Sequence, residues 1–523
     1  MIISDLRAAA RFAVGLRGFV QTPRTPDECE RRLRDGLASR NQHFLSVLER
    51  GAYGQPRSPY RALLKHAGIE LGDVARLVEE NGIEATLHKL RDAGVYAAFE
   101  EFKGRRPIQR GSLSLEVTAR SFDNPLLAPA YDRPSEGSRS VGRRIVFDFG
   151  ELEMGVLGDY LFGITFGVLG RPQALWQPVP PSTPGLKRTL RSLKLGQPME
   201  RWFSQTEFRF SSAPKEYLIT RYALAGSRRW AKPLPRPEHV PPDQAVTVAR
   251  WLAEKTAAGT PAHLVASSSA GVLVCRAALD HGLDIAGTMF ALGGEPYTQA
   301  KADVIAATGS RAAASYGMTE MGRNSIACGA PEALDEVHPL GDRVAVIQRE
   351  KDIGAARVGA LLFTTLAPTS PKLLLNVESD DYGVLRERDC GCPIGERGFR
   401  VHLSEIRSYD KLTAAGMTFL GSDLIELVEE ILPRRFGGSP TDYQFVEQED
   451  SGVPKVDVVV SPRIGQLDEG ALIAAVLEGL GDGPAYKRMM SEIWRDGRTL
   501  RVIRREPYAT PTAKILPLHL LRN

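Results

Sequence analysis

The stretch from Thr288 to Gly322 constrains the fold more than any other part of the chain. It consists of an apolar strand (Thr288 to Leu292), the turn Gly293-Gly294-Glu295-Pro296, a helix (Thr298 to Thr308), a short strand (Ala312 to Ser315) and the polar loop Tyr316 to Gly322. Strands joined through a helix pair in parallel, so the turn and the loop fall at one edge of a sheet. Open α/β sheets bind ligands at that edge. The pattern therefore predicts an α/β fold with a ligand site there.

The residue types in this turn and loop suit a nucleotide. Glycine has no Cβ, so the turn can approach a purine closely, and Tyr316 offers a ring to stack on it. Thr319 can hydrogen-bond a phosphate oxygen, and Glu320 is a hard oxygen ligand of the kind that magnesium prefers. For either half alone, an ordinary turn with a buried tyrosine and a solvated glutamate is an equally good interpretation.

Both halves together resemble the adenylate-forming enzymes, the superfamily of acyl-CoA synthetases, luciferases and peptide-synthetase adenylation domains. GGEP followed by SYGMTEMG is most similar to the phenylacetate-CoA ligase branch, and the resemblance covers roughly residues 40 to 523. It implies ATP, magnesium and coenzyme A as cofactors. It also implies catalytic roles for Thr319 and Glu320, with Glu320 on magnesium. The nucleotide would contact Gly294, Glu295, Pro296, Ser315, Tyr316 and Gly317.

Length and composition exclude several classes of protein. A chain of 523 residues has room for two or more domains, and 43% hydrophobic with 25% charged residues is typical of globular proteins. A net charge of +4 is too weak to indicate nucleic-acid binding. No apolar run is long enough to span a membrane. Five cysteines without an export signal predict the cytoplasm, with Cys29 and Cys275 as buried small hydrophobes.

The order of elements predicts three parts and an α/β fold class. Residues 1 to 110 form a helical lead-in packed on the large domain, opened by a first helix that either docks on the domain or lies at a membrane interface. Thr25 caps a helix that carries Leu33 through Leu48 on one side. Residues 111 to 408 form a large domain with mostly parallel sheets, which the resemblance implies is the adenylation domain that binds ATP and substrate. Residues 409 to 523 form a small α+β domain, which the resemblance implies is mobile.

A candidate phosphate loop runs from Pro134 to Arg144. Small residues leave backbone N–H groups available for an anion-binding nest, and the resemblance implies phosphate contacts from Ser135, Gly137, Ser138, Ser140 and Gly142. Glu136 and Arg139 depart from the family pattern, as does the Gly142-Arg143-Arg144 ending. A surface hairpin loop is the alternative interpretation.

The segment between the loop and the motif carries candidate pocket residues. Glu151 to Ala174 predicts a buried helix and turn, in which Phe162 and Phe166 either line an acyl pocket or pack in the core. Ser267-Ser268-Ser269 follows a strand and either caps the next helix or faces the substrate. No G-x-S-x-G elbow surrounds these serines, so a hydrolase nucleophile is unsupported.

A metal centre is predicted downstream of the motif. Cys328, His338, Cys390 and Cys392 supply three thiols and one imidazole, a donor set suited to a closed tetrahedral zinc site. Their spacing differs from that of a compact zinc finger, and unligated side chains are the alternative. Some phenylacetate-CoA ligase relatives show a similar pattern, which favours structural zinc.

The resemblance implies three further site residues. Asp381, with Asp380 as second choice, would accept hydrogen bonds from the ribose diol. Arg407 would contact the nucleotide, and Asp410-Lys411 would be the pivot of the mobile domain. Lys514 resembles the family's terminal catalytic lysine, although Ala513 replaces the usual glycine.

The expected function is AMP-forming activation of an aryl or acyl carboxylic acid, with transfer to coenzyme A. Two alternatives stay open. The departures of the phosphate loop from the family pattern, together with the basic stretch Lys187 to Lys194, favour transfer to an acyl carrier protein thiol or an amine. Glu136, Arg139 and Ala513 favour a nucleotide-binding protein without turnover. The expected partner is a small-molecule carboxylate, with no nucleic acid and no transmembrane segment.

Overall fold

The two strands predicted around the Gly293 turn lie side by side in a parallel sheet. In this computed structural model they are Met289–Gly293 and Arg311–Ser315, joined by the helix Gln299–Ala306. The α/β class predicted from the motif is confirmed. The structure describes residues 2–127, 131–133, 145–179, 184–211, 214–294, 297–318, 320–353, 356–408, 411–414, 417–420, 424, 427–438, 442–450, 453–483, 485–508 and 518–520.

The helices and strands of the described ranges are numbered in chain order. The helices are α1 (Ile2–Gln21), α2 (Pro26–Ala38), α3 (Arg40–Leu48), α4 (Pro59–His66), α5 (Leu71–Asp92), α6 (Phe99–Phe102), α7 (Phe149–Phe166), α8 (Pro184–Lys194), α9 (Pro214–Trp230), α10 (Ala245–Ala257), α11 (Ser268–Asp280), α12 (Gln299–Ala306), α13 (Leu432–Phe436), α14 (Glu469–Gly481) and α15 (Ala485–Asp496). The strands are β1 (Ile108–Arg110), β2 (Leu113–Leu115), β3 (Tyr131–Arg133), β4 (Ile145–Phe147), β5 (Gln173–Trp176), β6 (Arg201–Ser204), β7 (Pro237–His239), β8 (His263–Ala266), β9 (Met289–Gly293), β10 (Arg311–Ser315), β11 (Ser325–Ala327), β12 (Val337–Pro339), β13 (Val344–Ile353), β14 (Ala356–Thr365), β15 (Val377–Glu387), β16 (Val401–Ser408), β17 (Lys411–Ala414), β18 (Met417–Leu420), β19 (Tyr443–Asp450), β20 (Val453–Val460), β21 (Leu500–Arg504) and β22 (Leu518–Leu520).

The strand order of the parallel sheet locates its ligand edge. The order is β10, β9, β8, β5, β6, β7, so the chain builds outward from β5 to β7 and then returns to the other side of β5. Ligands bind outside the carboxyl ends of the strands where the order reverses. Those strands are β5 and β8, and the carboxyl ends of β9 and β10 continue the same edge. The sheet therefore presents Ser267, Gly293 and Ser315 along one rim.

A second six-stranded sheet is antiparallel throughout, in the order β11, β12, β16, β15, β14, β13. Its apolar side chains share a core with the lead-in helices, as Leu48 and Leu87 do with Phe363 and Leu375. Asn376 has a φ of 51° and donates through Nδ2 to the Leu87 and Val95 carbonyls at 2.8 and 3.2 Å. That asparagine fastens the lead-in to this sheet.

The prediction of one long helix after Thr25 is wrong. The segment forms two helices, α2 and α3, which are separated at Ser39. Thr25 caps α2 as predicted, with Glu28 N donating to Thr25 Oγ1 at 3.3 Å. Ser39 has φ −93° and ψ 6°, which are not helical values. The apolar faces of α2 and α3 therefore pack in different cores. Leu33 packs with α7, whereas Leu48 packs under the antiparallel sheet.

The basic stretch Lys187 to Lys194 does not form an exposed basic surface. It therefore does not support the expectation that the acyl group is transferred to a carrier protein. It lies in α8, whose basic side chains pair with acids on α7. The Lys194 side chain is 1% exposed and lies 3.0 Å from Glu153, and Lys187 Nζ donates to Glu151 Oε2 at 2.8 Å. The sequence shows the charge of these residues but not the helix face they occupy.

The first helix docks on the large domain over the residues whose side chains are described. Phe12, Leu16 and Phe19 are buried, and the rings of Phe12 and Phe19 lie 5.8 and 5.5 Å from Phe149. In the described ranges, no helix combines the length and the apolar character needed to cross a membrane.

The C-terminal residues form the predicted α+β unit around a core of their own. β21, β20, β19 and β22 form a mixed sheet, and α14 and α15 cover it with Leu472, Val476 and Trp494. Helix α15 and the β17–β18 hairpin are present in addition to the predicted elements. The mobility and the boundary at residue 409 stay predictions, and Lys514 lies outside the described residues.

Candidate active site and metal centre

Three of the predicted nucleotide residues lie along the carboxyl edge of the parallel sheet. Gly294 follows β9 with a φ of 81°, a conformation that favours glycine. Ser315 ends β10, beside the backbone of Gly293. Gly317 is exposed in the loop that follows. The other predicted nucleotide residues lie outside the described residues: Ser135, Gly137, Ser138, Ser140, Gly142, Glu295, Pro296 and the catalytic Thr319.

Tyr316 and Asp381 are in direct contact across the two sheets. Tyr316 Oη donates to Asp381 Oδ2 at 2.6 Å, and the Tyr316 ring stacks on Phe363 with centroids 6.2 Å apart. Burial raises the pKa of Tyr316 well above its usual value, and the Asp381 carboxylate raises it further. Tyr316 therefore keeps its proton and orients the carboxylate that the sequence assigned to the ribose.

Arg407 lies on the strand beside Asp381. Asp381 is opposite Ser408, and Tyr382 is opposite Arg407, in the pairing of β15 with β16. Arg407 Nη1 donates to Asp335 Oδ2 at 2.9 Å, so this guanidinium is held on a carboxylate. Tyr316 and Asp381, chosen from separate motifs, thus meet across the two sheets, whereas the Arg407 guanidinium lies on Asp335.

Replacing Asp381 by asparagine distinguishes it from the neighbouring Asp380. A ribose diol donates two hydrogen bonds to a carboxylate, and a charged hydrogen bond contributes about 1.5–3 kcal/mol. We expect Asp381→Asn to raise the KM for ATP by about 10- to 100-fold, with a smaller effect when 2′-deoxy-ATP is the nucleotide. Asp380→Asn is the matched control. A larger loss of ATP affinity in Asp380→Asn would contradict the assignment.

Lys103 is a site residue that sequence reasoning missed. It follows α6 in the lead-in, and its Nζ donates to Glu320 Oε1 at 2.9 Å. The same ammonium lies over the rings of Phe99 and Phe102, 5.3 and 5.0 Å from their centroids. The only sequence signal was the basic run Lys103-Gly104-Arg105-Arg106. Lys103 thus forms an ion pair with Glu320, the carboxylate that is predicted to bind magnesium.

Removing the Lys103 charge should favour magnesium at Glu320. An ammonium and a magnesium ion compete for one carboxylate, and a partly buried ion pair contributes about 1 kcal/mol. We therefore expect Lys103→Met to lower the magnesium concentration for half-maximal turnover by about 3- to 10-fold. Glu320→Gln should raise it. An unchanged magnesium dependence in both variants would exclude Glu320 as a ligand.

The serines after β8 include the helix cap that one interpretation predicted. Ser267 Oγ accepts from Ala270 N at 3.3 Å, which caps α11. Phe162 is 1% exposed and stacks on His263 with centroids 5.5 Å apart, and Phe166 packs beside it at 4.6 Å. These rings belong to the core.

Cys328, His338, Cys390 and Cys392 form a compact group, as predicted. Their four donor atoms all lie within 4.8 Å of one another. His338 Nε2 is 3.3 Å from Cys392 Sγ and 3.7 Å from Cys390 Sγ. Tetrahedral zinc with its usual Zn–S and Zn–N distances separates sulfur from nitrogen by about 3.5 Å. The donor set and its spacing therefore fit zinc.

The surroundings of His338 fix its ring for ligation. His338 is fully buried, and its Nδ1 lies 2.7 Å from the Phe399 carbonyl oxygen. A proton on Nδ1 leaves the Nε2 lone pair facing the thiols, the arrangement found in metal-bound histidines. Ala330 N and Gly395 N donate to the sulfurs of Cys328 and Cys392 at 3.4 and 3.5 Å.

Glu336, His402 and Arg388 form a polar layer behind this group, which the sequence did not indicate. His402 Nδ1 lies 2.5 Å from Glu336 Oε1, and Arg388 Nη2 donates to the same oxygen at 2.7 Å. Cys328, Glu336 and His402 also place their donor atoms within 4.8 Å of one another. Glu336 is already held by two side chains, so it acts as a support for the four-residue group.

Cys29 and Cys275 lie outside the metal group and are inert, as predicted. Both are fully buried in apolar surroundings. Burial raises the pKa of Cys29 to about 11 and that of Cys275 to about 12. Thiols with such pKa values carry no thiolate at neutral pH.

No protein-family model matches the chain, and no curated protein matches its sequence. It is similar in structure to an o-succinylbenzoate CoA synthetase from Bacillus subtilis, with 13% identity, 78% of this chain and 72% of that chain covered, and a TM-score of 0.40. All of the matched structures named here are adenylate-forming enzymes. An artificially fused adenylation-PCP di-domain from Klebsiella oxytoca has 12% identity, 86% and 79% coverage and a TM-score of 0.36. An AMP-forming acyl-CoA synthetase-like protein from Dyadobacter fermentans has 13% identity, 74% and 87% coverage and a TM-score of 0.27.

Proposed function

We propose that the protein activates a carboxylic acid with ATP, forming an acyl-adenylate, and belongs to the phenylacetate-CoA ligase type. One observation carries this proposal: Tyr316 and Asp381, from motifs 65 residues apart, share a 2.6 Å hydrogen bond. A nucleotide contacts the purine loop and the ribose carboxylate at the same time, so the two must be adjacent. The Tyr316–Asp381 hydrogen bond supports that arrangement. Arg407 lies on the adjacent strand, where its guanidinium pairs with Asp335.

The proposed reaction is attack of a substrate carboxylate oxygen on the ATP α-phosphorus. The P–O bond to the pyrophosphate leaving group breaks, which yields the acyl-adenylate and pyrophosphate. Glu320 would hold magnesium, a fit supported by its hard carboxylate oxygen at the end of the loop. Lys514 would neutralise charge as carboxylate and phosphate approach each other. Catalysis then depends on positioning and charge neutralisation.

The proposed acceptor of the acyl group is the coenzyme A thiol. Transfer to a carrier-protein thiol or an amine is the alternative. The basic stretch Lys187 to Lys194 no longer supports that alternative, because its side chains pair with acids on α7. The separate core of the C-terminal unit supports a lobe that turns about Asp410-Lys411 to serve the second half-reaction. The domain limits at residues 110 and 408 are part of this proposal.

Acid-dependent ATP–pyrophosphate exchange tests the adenylation step directly. A panel of aryl and fatty acids should contain at least one that supports exchange, and omission of acid should abolish it. Product analysis with coenzyme A, amines and carrier proteins then identifies the acceptor. ATP binding without exchange across the panel would refute adenylation and leave a nucleotide-binding protein.

A further inference from the structure

One buried and two half-buried arginines gather around a single buried aspartate behind the motif loop. Arg188 and Arg191 of α8 and Arg323 after the loop all pair with Asp159 of α7. Arg188 and Arg323 reach Asp159 Oδ1, while Arg191 Nε donates to Oδ2 at 3.0 Å. Arg188 is 6% exposed and Asp159 is 7% exposed. We call these four residues the arginine cluster.

The arginine cluster carries two positive charges more than its one carboxylate can balance. Two acids in the same region, Glu151 and Asp342, have cations of their own among the described residues. Lys187 pairs with Glu151 at 2.8 Å, and Arg343 pairs with Asp342 at 2.8 Å. Burying a charge is unfavourable unless an opposite charge compensates it, so the cluster has the electrostatics of an anion site.

One buried donor of the cluster has no partner. Arg188 Nε is inaccessible to solvent and makes no hydrogen bond to any residue that the structure describes. Burial lowers the pKa of Arg188 to about 10 and that of Arg323 to about 9, and neighbouring arginines contribute. Both groups stay charged at neutral pH. A bound carboxylate would satisfy the donor and the charge together, because guanidinium and carboxylate match in geometry.

Helix α7 is shaped to receive these side chains. A Cβ on Gly155 would lie 2.5 Å from Arg191 Cδ, and a Cβ on Gly158 would lie 3.3 Å from Arg323 Cδ. Glycine at both positions lets the arginines cross the helix closely. A cavity of about 10 Å³ adjoins the cluster at Arg323, and its lining includes Gly155, Arg343 and the acid Glu151.

The cluster is continuous with the ligand edge of the parallel sheet. Arg323 Nη2 reaches Ser315 Oγ at 3.5 Å, and Ser315 ends β10 immediately before Tyr316. The guanidiniums thus lie on the α7 side of the loop, whereas Asp381 lies on its antiparallel-sheet side. An acid whose reacting carboxylate is at the loop can extend its other end toward the arginines.

We propose that Arg188, Arg191 and Arg323 bind a second carboxylate of the acid substrate, so that the substrates are dicarboxylic acids. This proposal rests on the proposed adenylation function, which makes a carboxylic acid the ligand. It names the substrate class that the sequence left open. Asp159 positions the three guanidiniums and keeps them together when the substrate is absent.

Paired acids that differ by one carboxylate test the proposal on the unmodified protein. Adipate is compared with hexanoate, and benzene-1,3-dicarboxylate with benzoate, by calorimetric titration of the full chain and by ATP–pyrophosphate exchange. We expect a diacid to bind at least 10-fold more tightly than its monoacid in one pair or both. Equal affinities in both pairs would overturn the proposal, as would stabilisation by chloride or phosphate alone.

Variants of the arginine cluster test whether it causes the preference for diacids over monoacids. Arg188→Gln and Arg323→Gln should reduce diacid affinity by 10-fold or more and monoacid affinity by less than 2-fold. Gly155→Ala keeps every charge but displaces Arg191, so it should weaken diacid binding if the glutamine variants fail to fold. Arg40→Gln, which removes an arginine paired with Glu84 in the lead-in, is the matched control. Equal losses for both acids of a pair would show a structural role only and would overturn the subsite.

The two readouts separate this proposal from the proposed function. Tight diacid binding without exchange would refute adenylation and keep the subsite. Exchange with monoacids and no diacid preference would keep adenylation and refute the subsite.

Discussion

Lys514→Ala should reduce acid-dependent ATP–pyrophosphate exchange by about 10²- to 10³-fold, because one positioned charge donor commonly contributes that much to a rate. The ammonium is needed when the carboxylate and the α-phosphate come together, since both carry negative charge. ATP binding should change by less than about 3-fold, because the proposed purine and ribose contacts are those of Tyr316 and Asp381. Exchange measures the first quantity, and calorimetric titration with ATP measures the second.

A lysine elsewhere in the same C-terminal unit provides the control for this variant. Lys487 lies in α15, and Lys487→Ala should leave exchange within 2-fold of the parent. Lys514→Arg keeps the charge but changes its shape, so it should recover part of the rate. Exchange at the parental rate in Lys514→Ala would refute the role of Lys514 and leave the nucleotide site intact.

Loss of the metal should have the second large effect. We expect about one zinc per chain, bound by Cys328, His338, Cys390 and Cys392. Binding to such a site contributes several kcal/mol to folding, so chelation or Cys392→Ser should lower the unfolding temperature by roughly 10 °C. The reason is topological: the ligands come from β12 and from the segments after β11 and β15, so the metal holds one edge of the antiparallel sheet together.

Elemental analysis and thermal unfolding measure this prediction together. Cys275→Ala removes an equally buried thiol outside the group, and it should lower stability through packing while the zinc content stays at one. A protein purified without chelators that contains no zinc would contradict the metal assignment. An unchanged unfolding temperature after complete removal of zinc would contradict its structural role.

The local features of the chain were predictable because neighbouring residues decide them. The α/β unit from β9 to β10, the Thr25 cap and the inert cysteines all follow from short patterns. The zinc donor set was predictable from residue chemistry and the resemblance, although 52 residues separate His338 from Cys390. The break at Ser39 was not predictable from periodicity, because two cores in different directions decide where that helix ends.

The sequence alone determined the residue types of a nucleotide loop and the strand–helix–strand unit that carries it. Only the tertiary structure decided which residues face one another: Tyr316 with Asp381, Lys103 with Glu320 and three arginines with Asp159. The physical reason is that local periodicity fixes the face of each element, whereas these pairs depend on which faces meet when distant segments pack. The same packing buried the charged face of α8, which the sequence alone showed as a basic stretch.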